Sequence, residues 1–195
     1  VKSKTFLDTN ASSATFVAAA AQPTSTFTLA KTSFGTNTAR KITATTTGTG
    51  DNGKTITIVG KDHNNEDATE VITLTGSAET SSGTTTAFLT ITSATVSAQP
   101  AANVSLGMTA DVFGSIFQGR TRVRQVNAES GGSIGSVLFR NGSLTGTALL
   151  TVRTGATAGD VNTVNIPQDG ILYKDGAFVT FDETQCNSAT VYFDG

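Results

Sequence analysis

Chemistry in a polypeptide begins with side chains that titrate, attack or ligate, and this sequence is sparing with them. It holds one histidine, His63, and one cysteine, Cys186. Serine-type hydrolysis needs an imidazole-like base poised near neutrality beside a hydroxyl. His63 sits instead in Asp62-His63-Asn64-Asn65-Glu66-Asp67, a run with turn chemistry, because Asn tolerates positive φ and Asp bonds its own backbone. No Gly-x-Ser-x-Gly elbow occurs, and Ser133 and Ser136 lack the strand-to-helix setting that presents a nucleophile. Glycoside cleavage requires two carboxyl groups facing one cleft at a defined separation, whereas the acids here cluster at turns. An enzyme is not expected.

Ligand sites fare no better. The Asp62–Asp67 run has oxygens at alternating positions that could wrap a calcium ion, but it lacks the glycine and terminal bidentate Glu of an EF-hand loop, so a solvated hairpin tip is the simpler reading. Gly131-Gly132-Ser133-Ile134-Gly135 is followed by no Lys-Ser/Thr and opens no helix, which makes it a loop and not a phosphate cradle. A lone Cys186 forms no intrachain disulfide and is expected as a buried, inert thiol. Sequon-like triplets start at Asn10, Asn103 and Asn141, a frequency that a Thr- and Ser-rich chain reaches by chance. No cofactor and no metal are expected.

One charge pattern stands out. Arg120, Arg122 and Arg124 recur with period 2, which places them on one side of a strand. That side cannot be core. It is expected as a solvated face that discourages edge pairing or, functionally, as a docking stripe for an acidic surface.

The elements that carry these residues read as strands. From Arg40 onward, short β-branched runs alternate with Gly, Asn and Asp punctuation about every ten residues. The first set comprises Ile42–Thr45, Thr55–Val59, Val71–Thr75, Ala87–Ile91, Ala94–Val96 after a polar turn, and Asn103–Leu106. Alternation lapses between Thr109 and Ser115. A second set follows: Arg120–Val126, Ser136–Arg140 turned by Asn141-Gly142, Ala148–Val152, Val161–Ile166, Ile171–Tyr173, Phe178–Phe181 and Ala189–Phe193. No amphipathic helix is evident beyond a single turn, so parallel α/β architectures, which need crossover helices, are excluded. The fold class is all-β, with two tandem antiparallel β-sandwich domains of immunoglobulin-like size over residues 36–110 and 111–195. Residues 1–35 lack a sustained period and read as an extended N-terminal arm. Its large apolar residues, among them Phe6, Leu7 and Phe16, are candidates to pin it to its own domain or to a neighbouring subunit.

Composition narrows the partners. Charged residues make up 14% of the 195, against about 25% in an average domain, and Thr, Ser, Asn and Gly fill the polar places. With a net charge of −2 there is no field to hold a phosphate backbone or an anionic membrane, so neither nucleic acid nor membrane is an expected partner. No basic segment leads into an apolar one, and Phe16–Ala21 is too short for a signal core, so a secretion signal is not expected.

Ala39-Arg40-Lys41-Ile42-Thr43, Asn52-Gly53-Lys54-Thr55-Ile56-Thr57-Ile58-Val59-Gly60-Lys61-Asp62, Ala68-Thr69-Glu70-Val71-Ile72 and Asn103-Val104-Ser105-Leu106-Gly107 together resemble a module common in tailed-bacteriophage virion proteins. Ser136–Gly142, Ile166–Tyr173, Asp175-Gly176 and Val191-Tyr192-Phe193 are similar to a second small β-sandwich found in phage particles. The resemblance implies a virion structural protein, a capsid decoration or cement component, located in the virion after assembly in the host cytoplasm. Its implied partners are other virion proteins, major capsid or tail, and further copies of itself. It brings no catalytic residues. A tail, neck or fibre-base component is the alternative within that class, and a carbohydrate-binding adhesin module the alternative outside it. The absence of Trp and the presence of only Tyr173 and Tyr192 weigh against sugar stacking.

Overall fold

The structure is a computed structural model that describes residues 1–8, 10–46, 48–75, 83–167 and 169–195, with the backbone of Thr80 and Ser81. Among the described residues the chain is all-β. Its strands, in order, are β1 (Lys2–Asp8), β2 (Ala18–Ala21), β3 (Gly35–Thr36), β4 (Ala39–Thr46), β5 (Thr55–Asp62), β6 (Asp67–Thr73), β7 (Thr80–Ser81), β8 (Phe88–Val96), β9 (Val104–Phe117), β10 (Thr121–Ser130), β11 (Gly135–Asn141), β12 (Ala148–Thr154), β13 (Val161–Asn165), β14 (Ile171–Tyr173), β15 (Ala177–Asp182) and β16 (Cys186–Asp194). The helical content among these residues is one 3-10 turn, Thr49–Asp51. The strands form two antiparallel sheets.

By contacts the chain divides into two compact units. The first gathers Val1–Ala11, Gly35–Thr38 and Ala110–Gly195, and the second Ser12–Phe34 and Ala39–Thr109. The residues expected as an arm are shared between them. In the first unit β1 lies between β16 and β3, pairing from Lys2↔Phe193 to Leu7↔Ser188 on one side and through Leu7↔Thr36 on the other. β16 continues onto β10, which also pairs with β13 and β14. A second ladder runs β12, β11, β15 and the Asp111–Phe117 part of β9. Both ladders feed one core: Phe6, Val123, Val126 and Val191 from the first, Val137, Phe139, Val152 and Val179 from the second. Tyr173 and Phe181 are buried in it too.

In the second unit β5 is central, pairing with β6 from Thr55↔Thr73 to Lys61↔Asp67 and with β8 from Ile56↔Val96 to Asp62↔Phe88. Ile56 and Ile58 point inward while Thr55, Thr57 and Val59 are half-buried, the period-2 signature of a sheet with one dry face. Ile42, Leu74, Phe88, Leu106 and Met108 complete the core with Val17, Ala18, Phe27 and Phe34. These last four come from the segment expected as an arm. The segment has little period because much of it joins by single bridges, Thr26↔Thr95 and Ser33↔Thr90, and by amide bonds such as Phe27 N to Ala94 O at 2.9 Å. Isolated anchor points leave no repeat in the sequence.

One expected turn is absent. Residues 88–96 run as one strand, with register shifts at Val59/Gly60 and Lys61/Asp62 of its partner in place of a polar turn. The lapse at Thr109–Ser115 is also strand. Val112 through Ile116 are all buried, and a strand covered on both faces has no reason to alternate. The Asn141-Gly142 hairpin does form, between β11 and β12, but with a longer loop that Gly142 enters at φ +81°.

Phe6 shows how close the packing is in the first unit. Its ring lies against Gly114, where an added Cβ would collide with Cδ1 and Cε1. Phe6→Ala is expected to lower unfolding free energy by about 4 kcal/mol, read from the denaturant midpoint, and Gly114→Ala to destabilise as well because the ring has nowhere to retreat.

Candidate functional site

The chemistry-bearing side chains of the second unit are occupied by the fold. Asp51 is wholly buried, yet its carboxylate accepts four hydrogen bonds: from Lys54 Nζ at 2.9 Å and Ala101 N at 2.6 Å on Oδ1, and from Thr46 Oγ1 at 3.1 Å and Ala102 N at 3.2 Å on Oδ2. Burial pushes its pKa up, but the bonds from Lys54, the two amides and Thr46 outweigh it and hold the group at about 2. This one carboxylate ties the 3-10 turn to β4 and to the 97–103 connection. Glu70 does similar work at a surface. It accepts Thr85 N at 2.6 Å and Thr85 Oγ1 at 2.9 Å on one oxygen and Thr86 N at 2.8 Å on the other. Burial raises its pKa, yet the amide bonds bring the net shift below the ordinary value.

The Asp62–Asp67 run is the β5–β6 hairpin tip. Asp62 Oδ1 accepts the amides of Asn64 at 2.8 Å and Glu66 at 3.0 Å, Asn65 takes φ +67°, and Asp67 pairs with Lys61 at 2.9 Å. His63 Nδ1 lies 3.9 Å from Asp62 Oδ2. Burial lowers the pKa of His63, with Asp62 and Glu66 opposing, so its imidazole favours the neutral form. Among the described residues no group of three or more His, Cys, Asp or Glu is arranged to hold a metal ion.

In the first unit, Arg120, Arg122 and Arg124 do not form a clean stripe. Arg120 precedes β10 and is exposed, while Arg122 and Arg124 are half-buried. A register shift between Val123 and Gln125 in the pairing with β16 breaks the period at Arg124. Arg122 Nη1 donates to Asp169 O at 3.3 Å, and Arg124 Nε to Asp194 Oδ2 at 2.5 Å, which holds the Asp194 carboxyl below its ordinary pKa. Two of the three guanidinium groups therefore serve the unit itself. Phe6 is fully buried and Leu7 half-buried. In the second unit Phe16 is half-buried beside Phe34, ring centroids 6.1 Å apart.

The Gly131–Gly135 loop is held by Gln185, a residue with no motif to announce it. Gln185 O accepts Gly131 N at 3.1 Å and its Oε1 accepts Ser136 N at 3.1 Å, while Gly132 N donates to Ser130 Oγ at 3.1 Å. Those amides are spent on protein acceptors. Cys186 is fully buried, and burial pushes its thiol up to about 12.

The first unit has a cleft of about 460 Å³ lined by Leu7, Asp8, Asn10, Ala11, Glu129, Glu183, Thr184 and Asn187. The second has one of about 390 Å³ lined by Ala19, Ala21, Gln22, Pro23, Thr26, Phe27, Thr28 and Ala30. The first is acidic, with Glu129 Oε2 already accepting Ser188 Oγ at 3.0 Å, and the second is lined mainly by small apolar and Thr side chains. Searches against models of protein families, curated proteins and solved structures returned no match.

What the surface offers instead is strand edge. Val71, Leu149 and Val161 are 53%, 41% and 62% exposed. They lie on β6, β12 and β13, each of which ends its line of paired strands among the described residues, with the β12 and β13 edges approaching each other where Asn162 Nδ2 donates to Arg153 O at 2.8 Å. Unpaired edges with exposed aliphatic side chains are templates for association.

Two measurements check these assignments. The Asp51 pKa is depressed on folding, so its stabilisation is complete above about pH 4 and is lost as pH falls towards 2. Asp51→Ala is expected to cost about 3 kcal/mol at neutral pH by denaturant unfolding and to flatten the acid limb of the stability profile. Cys186 is expected to resist a thiol-specific disulfide reagent in the native chain and to react fully once unfolded.

Proposed function

We propose that this chain is a structural protein of a tailed-bacteriophage particle, a capsid decoration or cement component built from two β-sandwich modules. The single observation that carries this reading is the exposure of Val71, Leu149 and Val161 on strands that end their ladders. Such edges suit repeated contacts with a lattice of subunits, where many weak interfaces add through symmetry. The sparse charge of the chain supports the same reading, since burying Thr hydroxyls against backbone costs less than desolvating ion pairs. Support also comes from how the acids and arginines are used: Asp51, Glu70, Asp62 and Arg124 hold turns and strand ends. Partners on this reading are other virion proteins and further copies of this chain, with exposed Arg120 available to an acidic neighbour.

The test is direct. Val71→Lys, Leu149→Lys and Val161→Lys, introduced together, are expected to leave the far-ultraviolet β signature and unfolding midpoint nearly unchanged while reducing co-purification with assembled particles at least tenfold. A label on the chain is expected over the whole head in particle images. Signal at one vertex would assign it to the tail, and failure of the chain to associate with any particle would refute the proposal.

A further inference from the structure

Asn-Gly occurs twice in the sequence, at Asn52-Gly53 and Asn141-Gly142. This dipeptide is chemically labile because glycine has no side chain to shield its amide nitrogen. Once deprotonated by solvent base, that nitrogen attacks Cγ of the preceding Asn. A C–N bond forms, the carboxamide C–N bond breaks, and ammonia leaves with the proton. The resulting five-membered imide is opened by water at either carbonyl, giving aspartate or isoaspartate. The only co-reactant is water.

The two sites differ in what must be broken first. Asn141 is held at both ends of its carboxamide by Asp175: Nδ2 donates to the carboxylate at 2.9 Å, and Oδ1 accepts the Asp175 amide at 3.2 Å. Its own amide donates to Thr147 O at 3.0 Å, and the would-be nucleophile, Gly142 N, donates to Gly176 O at 3.0 Å. Rotating that carboxamide towards Gly142 breaks several bonds at once.

Asn52 is exposed, and its carboxamide has no partner among the described residues. It occupies a tight turn at φ −56° and ψ 128°, followed by Gly53 at φ +79° and closed by Lys54 N to Asp51 O at 3.1 Å. Gly53 N donates to Leu74 O at 3.0 Å, so freeing the nucleophile costs one backbone bond, and the open space around Gly53 lets the turn move.

We propose that Asn52 is a site of spontaneous deamidation in the folded protein, and that Asp175 protects Asn141 from the same reaction. The consequence falls on the neighbouring residue. Isoaspartate inserts a methylene into the backbone immediately after Asp51, whose carboxylate depends on the placement of that turn, so conversion at Asn52 loosens the connection of the turn to Ala101 and Ala102.

Purified full-length chain, incubated at mildly alkaline pH and mapped by peptide mass spectrometry over time, is expected to convert at Asn52 at least tenfold faster than at Asn141, the factor that one or two net hydrogen bonds supply. In urea the two rates are expected to converge. Asp175→Ala is expected to raise the native Asn141 rate several-fold without moving that of Asn52. Equal rates in the native chain, a faster Asn141, or native Asn52 as inert as Asn141 while both react in urea would each overturn the proposal.

Discussion

With no helix among the described residues beyond one short turn, the backbone polar groups of this chain must find partners on neighbouring strands or in turns. Everything else follows from that demand. It explains why the apolar residues come in short alternating runs, why Thr replaces charge on half-buried faces, and why acidic side chains gather where the chain reverses. Asp51 is the sharpest case: a buried carboxylate survives because two backbone amides, a hydroxyl and an ammonium all donate to it. Asp51, Asp62 and Glu70 are spent where ladder bonds end and backbone amides need other acceptors.

The strands were legible to the extent that they obeyed period 2. β5, whose Ile56 and Ile58 face inward between Thr neighbours, could be read directly, as could β10, β11 and β16. β9 was only half legible, because its Val112–Ile116 stretch is covered on both faces and carries no alternation. The first 35 residues were the least legible. β1 holds a single fully buried aromatic, Phe6, and the Ser12–Phe34 segment attaches through bridges that set no repeat, so nothing local reveals that Val17, Ala18, Phe27 and Phe34 belong to a core.

The candidate site residues divide along the same line. Turn duty for Asp62 and burial for Cys186 follow from residue type and neighbours, and the structure places both so. The arginine series was harder. Its spacing is real, but a bulge and two partners distant in sequence, Asp169 and Asp194, redirect the side chains. Gln185 carries no signal at all: its role as acceptor for Gly131 and Ser136 comes from a turn some fifty residues downstream in the chain. Long-range hydrogen bonding of this kind is what a single sequence conceals.

The pairing of β1 with β16 sets a schedule for biogenesis. β1 is completed by a strand, β16, made roughly 180 residues later, which at ribosomal speed is a wait of roughly ten to forty seconds. Through that interval Phe6 has an incomplete pocket and the β1 edge that β16 later covers has no neighbour, so the nascent chain passes through an aggregation-prone stage. Slow codons would lengthen that stage, and holdase chaperones would find their longest window there.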